Sequence, residues 1–505
     1  MDVTKRSKRA KLNIIISFIA QIVTILCGVI VPQLLIKQFG SEAYGATASI
    51  TQFLAYISLL EGGIGGVARA AFYKPLAEGD MTRVSEIVYE IKRFFRVVGS
   101  IFVVYVLILA CSFSKISNIE CFEWGYTFLL VIVISISTFA QYFIGMAYNI
   151  LVSASQRQYI TNTISIITTV LNTIFIILLI NIGCDIIIVK LCSSCVFVLK
   201  PVFLMLYVKK EFKLVKVKTR NTNYLSQKWE GLGQHIAYFL HSNTDIAVLT
   251  VLSNLTTVSV YSVYSLVITH IQNLSSSFST GMESLFGDML ARKEMVELKK
   301  TFGYYETLVS MISTVLFSTT AVMIIPFVRL YVEGVSDADY IRPMFSILMI
   351  IASYLYCLRT PYHHMTIAAG HFRQTRVAAY GEAVINILLS IILVHKFGMI
   401  GVAIGTLVAV LFRMLYYALY LSRYIIHRSI CLFIKREIIN MMTFTIIVFA
   451  GELLIGDLLM SNYLIWVFYG ALSFIFSLLI TSLSAYIFYR EDFNNIVIER
   501  IKKLV

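Results

Sequence analysis

Charge is scarce in this chain: 14% of its 505 residues are Asp, Glu, Lys or Arg, where a soluble domain carries about a quarter. Proline is scarcer, at six residues, and Gly- or Ser-rich stretches are few, which argues against linkers between independent domains. The longest strongly polar break runs from Lys209 to Glu230, too short to fold alone. A sizeable soluble catalytic domain is thereby excluded. Nucleotide motifs are missing as well. The glycine cluster Glu61-Gly62-Gly63-Ile64-Gly65-Gly66 lacks the Lys-Ser/Thr of a phosphate loop, and close helix packing or a hinge suits it better. Without ATP hydrolysis, work done by this chain has to draw on an ion gradient, a membrane potential or substrate supply.

What fills the chain is apolar sequence, 58% of all residues. It falls into about fourteen stretches of about twenty residues, the length that crosses a bilayer core as a helix. The expected spans are 12–36, 44–68, 94–114, 124–150, 159–182, 185–208, 232–253, 256–281, 302–332, 343–368, 377–396, 399–422, 438–459 and 463–489. The first is too long for the apolar core of a signal peptide and is expected to stay as a membrane helix. Net charge is +14, and about three quarters of the 42 Lys and Arg fall on one side when the N-terminus is placed inside and the helices alternate. That asymmetry favours cytoplasmic N- and C-termini in a multi-pass inner (plasma) membrane protein. The basic residues are spread over many short loops with no single basic face, so nucleic acid is not expected as a partner. Cys192-Ser-Ser-Cys195 has a redox or metal spacing but lies within an apolar run, where membrane-embedded small hydrophobes are the better reading. Cys111 and Cys121 flank an expected external loop that a disulfide could close. No set of metal ligands and no cofactor motif stands out.

An internal repeat is visible. Leu76-Ala77-Glu78-Gly79-Asp80-Met81 returns as Leu290-Ala291-Arg292-Lys293-Glu294-Met295, and Leu171-Asn172-Thr173-Ile174 as Ile385-Asn386-Ile387-Leu388, both at offset 214. Ile182-Gly183 matches Phe397-Gly398 at offset 215, and Lys200 matches Arg413 at 213. The fold class that follows is an all-α integral membrane protein with two parallel-repeat six-helix lobes and two added C-terminal helices. The expected domains are an N-terminal lobe at 1–208, a cytoplasmic linker at 209–231, a C-terminal lobe at 232–422, and 423–505 for helices 13–14 and a tail. Transporters of this design hold cargo between repeats.

Ionisable residues inside a membrane usually face a cavity or a partner, because facing lipid costs about 2.5–3.5 kcal/mol at a helix centre. His235, Tyr238, His241, Ser242 and Asp245 fall on one helical face. The stripe is either a titratable ion-coupling lining, joined by Glu61, or an interhelical hydrogen-bonded seam without a transport role. Arg359 and His363 stand four residues apart around Pro361. Guanidinium groups grip phosphate oxygens bidentately and stay charged, so Arg69, Arg359 and Arg413, with His363, are the candidates for a diphosphate site. An interfacial place for Arg69 and snorkelling for Arg413 are the competing readings.

Several local patterns carry a resemblance. The turn Phe39-Gly40-Ser41-Glu42-Ala43-Tyr44-Gly45 is similar to an LG-x-E-x-YG turn, with Phe for the usual Leu. Tyr73-Lys74-Pro75-Leu76-Ala77-Glu78-Gly79-Asp80, Ala368-Ala369-Gly370-His371-Phe372-Arg373 and Gly398-Met399-Ile400-Gly401-Val402-Ala403 follow in the same order. Together they resemble the polysaccharide-transport branch of the MOP flippase superfamily, the Wzx-type O-antigen and capsule flippases. The resemblance implies flipping of an undecaprenyl-diphosphate-linked oligosaccharide to the outer leaflet for surface polysaccharide biosynthesis. It also implies two rocking lobes, no enzymatic activity, and a partnership with a polysaccharide polymerase and glycosyltransferases. A peptidoglycan-precursor flippase and a cation-coupled multidrug exporter share the fold. A membrane polymerase or ligase would need a larger external loop than the eleven residues from Glu333 to Pro343.

Overall fold

The computed structural model describes residues 3–61, 64–215, 232–279, 281–456 and 460–495, side chains excepted at 3–8, 10, 232–238, 241, 242 and 372. All regular structure among them is helical. The chain divides into two compact units, Met1–Phe239 with Asn254–Ser259, and Leu240–Ser253 with Val260–Val505.

The first unit opens with α1 (Val3–Phe39) and α2 (Ser41–Ala55), a 3-10 turn (Tyr56–Glu61), α3 (Ile64–Glu78) and α4 (Met81–Ser117). It continues with α5 (Trp124–Ala140), a π-helical turn (Gln141–Gly145), α6 (Met146–Ala154), α7 (Gln158–Ile182) and α8 (Ile186–Phe212). Next come α9 (Leu232–Leu252) and α10 (Leu255–Ser277), which straddle the division. The second unit adds α11 (Met282–Ala291), α12 (Met295–Tyr331), α13 (Pro343–Leu358), α14 (Thr360–Ala368), α15 (Phe372–Phe397) and α16 (Met399–Tyr424). It ends with α17 (Ile430–Ile455), α18 (Tyr463–Phe488) and the short α19 (Arg490–Phe493).

Among the described residues, eleven helical segments are long and apolar enough to cross a bilayer, and the pair α2–α3, bent by 50°, makes twelve. The all-helical membrane architecture expected from hydropathy is the one observed. The remaining two expected segments coincide with α9 and α10, and α10 is diluted by Thr256, Thr257, Ser259, Ser262 and Thr269. Several helices reach further than their apolar runs. The expected 94–114 segment is α4 from Met81, and the expected 302–332 segment is α12 from Met295. Their first turns are polar, so hydropathy starts the span late while the backbone ladder does not. Asp80 caps α4 by accepting from the Arg83 amide at 3.0 Å.

Packing is arranged for a lipid solvent. Large apolar side chains point outward, as Leu453, Leu464 and Leu479 do, while Ser313, Ser318, Thr314 and Ser477 are buried. Ser275 meets Ser313 at 2.9 Å, Thr314 meets Tyr354 at 2.7 Å, and Ser318 donates to Ser477 at 3.2 Å. Each such bond is worth about 0.6 kcal/mol in a membrane, because the separated helices also find partners. Glycines let backbones close in. A Cβ on Gly45 would lie 1.8 Å from the Leu255 carbonyl oxygen, and one on Gly405 would lie 2.6 Å from Ser390 Oγ. The neighbouring Glu42 of the LG-x-E-x-YG-like turn accepts from the amides of Glu120 (2.7 Å) and Cys121 (3.2 Å), tying the α4–α5 loop to α2. Cys111 and Cys121 are free thiols.

The repeat is written in the backbone. Helices α4 and α12 are both 37 residues long, and their first residues, Met81 and Met295, stand at the repeat offset of 214. Left-handed residues recur at the same spacing: Gly79 (φ 74°) with Lys293 (60°), Gln156 (59°) with Gly370 (72°), and Lys213 (43°) with His427 (54°). Gly183 (φ 83°, ψ 25°) and Gly398 (φ 55°, ψ −133°), at offset 215, share the positive φ but not the left-handed helical turn. The left-handed conformation costs a non-glycine residue about 1–2 kcal/mol. Its return at matched helix ends marks a turn geometry that both units need, whichever side chain stands there.

Candidate functional site

The second unit gathers three of the proposed cations around a carboxylate. Arg359 sits where Pro361 interrupts the run from α13 to α14, and His363 lies one turn on. Helix α15 contributes Glu382, which is fully buried, and α16 contributes Arg413 and Tyr417. Arg359 Nη1 donates to Glu382 Oε1 at 2.6 Å, and Arg413 Nη1 donates to Oε2 of the same carboxylate. Arg413 Nη2 donates to the Tyr417 hydroxyl at 3.0 Å, which stands 3.3 Å from His363 Nδ1. The Arg359 guanidinium also lies 4.5 Å from the Tyr356 ring centroid. Arg413 Nε is buried without a partner.

Two guanidinium groups thus share one carboxylate, leaving one formal positive charge inside a membrane-embedded unit. Glu382 offsets the desolvation of both arginines, which would otherwise cost several kcal/mol per ion. The excess charge and the orphaned Nε can receive an anion that approaches the cluster.

The same face of α16 continues from Arg413 and Tyr417 to Tyr420 and Tyr424, at helical spacings of four, three and four residues. Tyr420 shares a 2.8 Å hydrogen bond with His371 Nδ1, and Tyr424 is 54% exposed. Tyr416, Tyr420, Arg423, Tyr424 and Arg428 line a recess of about 490 Å³ at this end. Aromatic faces suit the apolar C–H faces of sugar rings, and the arginines beside them suit anionic groups.

A second polar constellation surrounds Asp245 of α9. Its Oδ2 accepts from Tyr261 of α10 and from Thr406 of α16, each at 2.9 Å. Thr406 in turn accepts from Asn386 Nδ2 of α15 at 2.9 Å. Asp245 Oδ1, Asn386 Oδ1 and Ser390 Oγ are all buried without a partner. These are oxygen donors of the kind a small hard cation takes. Among the described residues, no three His, Cys, Asp or Glu side chains group closely enough for a metal. The side chains of His235 and His241 lie outside the described residues, so Asp245 alone represents the proposed stripe.

The remaining candidates belong to the first unit. Glu61 ends the 3-10 turn and accepts from the Tyr142 hydroxyl, within the π-helical turn. A Cβ on Gly145, at the end of that turn, would lie 2.8 Å from Pro201 Cβ of α8. Arg69 is exposed on α3, with its Nε bonded to the Gly65 carbonyl at 3.1 Å. Sequence reasoning missed Glu382, Tyr417, Asn386 as a side chain, Ser390, Thr406 and Tyr261. A signal existed for Glu382: it is a lone carboxylate in an otherwise apolar run.

No family model matches the chain, and no curated protein matches it in sequence. Solved structures do. The lipid II flippase MurJ in an inward closed conformation aligns over 95% of this chain and 99% of its own, with a TM-score of 0.67 at 16% identity. An inward-facing multidrug-resistance MATE transporter of the MOP superfamily aligns over 79% of this chain and 94% of its own, at 0.56 and 17%. The chain has the fold of MOP-superfamily transporters. A MOP-superfamily transporter from Pyrococcus furiosus, whose binding pocket has reverse polarity, aligns over 83% of this chain and 96% of its own at 0.54 and 15% identity. At these identities the likeness speaks for the fold alone.

Proposed function

We propose that this chain is a flippase that carries an undecaprenyl-diphosphate-linked oligosaccharide from the cytoplasmic to the outer leaflet by alternating access, for surface polysaccharide assembly. The observation that carries the reading is the buried cluster of Arg359 and Arg413 on Glu382, with its one excess positive charge and the neighbouring His363. A diphosphate is the anion that such guanidinium forks match. The tyrosine face of α16, opening at Tyr424, gives sugar rings a surface to stack on. The likeness to the lipid II flippase MurJ over nearly the whole chain supports a lipid-linked cargo. The cytoplasmic termini, the inner-membrane location and a working partnership with a polymerase and glycosyltransferases belong to the same proposal.

Asp245 is the proposed ion-coupling residue. Its unpartnered oxygen, with those of Asn386 and Ser390, supports a site for a small cation on α9, α15 and α16. Arg69 is proposed to meet the cargo phosphate, and Glu61 to contribute to coupling. A multidrug exporter of the same fold would use cation coupling too, but the acid among the arginines of the proposed cargo site, Glu382, is already bound by two of them, which disfavours a cationic drug there. A peptidoglycan-precursor flippase remains the alternative, since its cargo carries the same lipid-linked diphosphate.

The test is transport. Purified protein in liposomes is given a fluorescent undecaprenyl-diphosphate oligosaccharide, and leaflet exchange is followed for wild type and Arg359→Ala. Protein-dependent exchange lost in the variant supports both flippase and site. Exchange that survives keeps the flippase and removes the site. Cationic dye efflux without lipid exchange overturns the reading in favour of an exporter.

A further inference from the structure

At one repeat-related position the two units carry opposite charges. In the second unit, Glu306 of α12 accepts from the Tyr362 hydroxyl of α14. Arg428 closes on the same carboxylate at 2.7 and 2.9 Å, and Arg436 at 3.1 Å. At the repeat offset of 214, the counterparts of Glu306 and Tyr362 are Lys92 of α4 and Tyr148 of α6. Lys92 Nζ donates to the Tyr148 hydroxyl and lies 4.1 Å from the ring centroid. The tyrosine and the pair of helices are retained; the carboxylate has become an ammonium.

The surroundings did not change sign to compensate. Arg96 stands one turn along α4 from Lys92, and Lys209 lies near the end of α8. Both act electrostatically on Lys92 and on Tyr148. Among the described residues, no carboxylate acts on Lys92 and neither Arg96 nor Lys209 forms an ion pair. Arg96 and Lys209 are exposed, Lys92 is half-buried and Tyr148 is buried behind it, so the three cations are open to a ligand. Lys92 keeps two ammonium hydrogens beyond the one given to Tyr148. Where the second unit supplies its own anion between a tyrosine and two arginines, the first presents a tyrosine and three cations with no anion.

We propose that Lys92, Arg96, Lys209 and Tyr148 form a binding site for a phosphate-type headgroup that takes the place Glu306 fills in the other unit. The ligand chemistry is a lipid phosphate, from one of two sources: the diphosphate of the flippase cargo, which rests on the function proposed above, or an anionic phospholipid, which does not.

The experiment is native mass spectrometry of the full chain in detergent, titrated with undecaprenyl diphosphate, phosphatidylglycerol and, as zwitterionic control, phosphatidylcholine. The deciding variant is Lys92→Glu, which rebuilds the internal anion between Tyr148, Arg96 and Lys209. It is expected to keep wild-type thermal stability while weakening binding of the anionic lipid roughly tenfold or more, the loss of one or two charge-assisted bonds. Arg96→Gln and Lys209→Gln, both at exposed positions, should each weaken binding several-fold and guard against misfolding of the first variant. Loss for undecaprenyl diphosphate but not phosphatidylglycerol assigns the site to cargo. Loss for both, or for phosphatidylglycerol alone where undecaprenyl diphosphate does not bind, assigns it to anionic phospholipid, and the latter result also counts against the flippase reading. Unchanged binding of both lipids in all three variants, or equal binding of phosphatidylcholine by wild type, overturns the site.

Discussion

Glu382 is the residue whose removal should be felt most. Its carboxylate is fully buried and takes Arg359 at 2.6 Å on one oxygen and Arg413 on the other. Charges about 4 Å apart interact by about 4 kcal/mol at an effective dielectric near 20. Two such contacts hold the arginines in place, against the cost of burying the carboxylate. Glu382→Ala removes that cost but leaves two guanidinium groups buried, mutually repulsive and unpaired, and breaking a buried pair in this way costs about 3–5 kcal/mol. Glu382→Gln keeps the shape and one acceptor oxygen, so it should fall between. Arg359→Met leaves Glu382 still bound by Arg413, and should cost less than Glu382→Ala. The decisive variant is the triple Arg359→Met, Glu382→Leu, Arg413→Met, which removes every charge. If burial without pairing is the source of the loss, the triple should recover most of the stability of the chain. The assay is thermal unfolding in detergent by fluorescence-detected size exclusion, where about 3–5 kcal/mol corresponds to roughly 5–10 °C in a unit of this size. A triple variant as unstable as Glu382→Ala would refute the reasoning, because volume and hydrogen-bond geometry rather than charge balance would then govern the cluster. Transport separates function from structure: the stable triple should fail to exchange diphosphate-linked lipid.

Three further outcomes follow from particular contacts. Asp245→Asn keeps the acceptor for Tyr261 and Thr406 but removes the charge, so transport should lose its dependence on an imposed sodium or proton gradient while folding persists; gradient-dependent exchange in the variant would remove Asp245 from coupling. Gly45→Ala should destabilise the first unit by about 1–3 kcal/mol, since the added carbon would lie 1.8 Å from a backbone oxygen of Leu255, and a melting temperature equal to wild type would show that the two backbones separate freely. Glu42→Ala strips the acceptor from the Glu120 and Cys121 amides, a loss of about 1–3 kcal/mol, and should raise the rate at which an added protease cuts the α4–α5 loop; an unchanged rate would mean the loop is held by other contacts.

Hydropathy carried the architecture because a membrane leaves few choices: every backbone amide in lipid needs a partner within the segment. It located α7 at Gln158–Ile182 and α13–α14 at Pro343–Ala368 almost to the residue, since Gly183 and Pro343 punctuate them. It cut α4 and α12 short because their polar first turns carry Arg83, Lys92, Glu297 and Lys300, which are helical without being apolar. Arg359, His363 and Arg413 stood out as charges where charge is costly. Their common partner Glu382 obeys the same rule, but a phosphate site is recognised by its cations, and the acid between them carries no such signature. The break at Gly398 already makes α15 and α16 a tight hairpin, but nothing in one dimension brings α9 beside it, so Asn386, Ser390 and Thr406 gave no sign of meeting Asp245. Small polar residues are ordinary in membrane helices and become a site only through packing.

The repeat explains why such a site resists detection. What the two units hold in common is the backbone, from the left-handed turns at Gln156 and Gly370 to the matched lengths of α4 and α12. Those features fix where helices stop and turn. Side chains at equivalent positions answer to local charge balance alone, and that balance has several solutions. Tyr207 receives a bond from Arg157 at 2.8 Å where Tyr420, its counterpart in the second unit, meets His371 at the same distance. Lys92 stands where Glu306 does, and Lys200 has no counterpart to the carboxylate that binds Arg413, since Thr168 occupies the place of Glu382 at offset 214. At the Tyr148/Tyr362 and Tyr207/Tyr420 pairs each unit keeps the tyrosine and changes the charged or polar group set against it. Where the exchange leaves cations without an internal carboxylate, as at Lys92, the proposed anionic ligand would supply the difference.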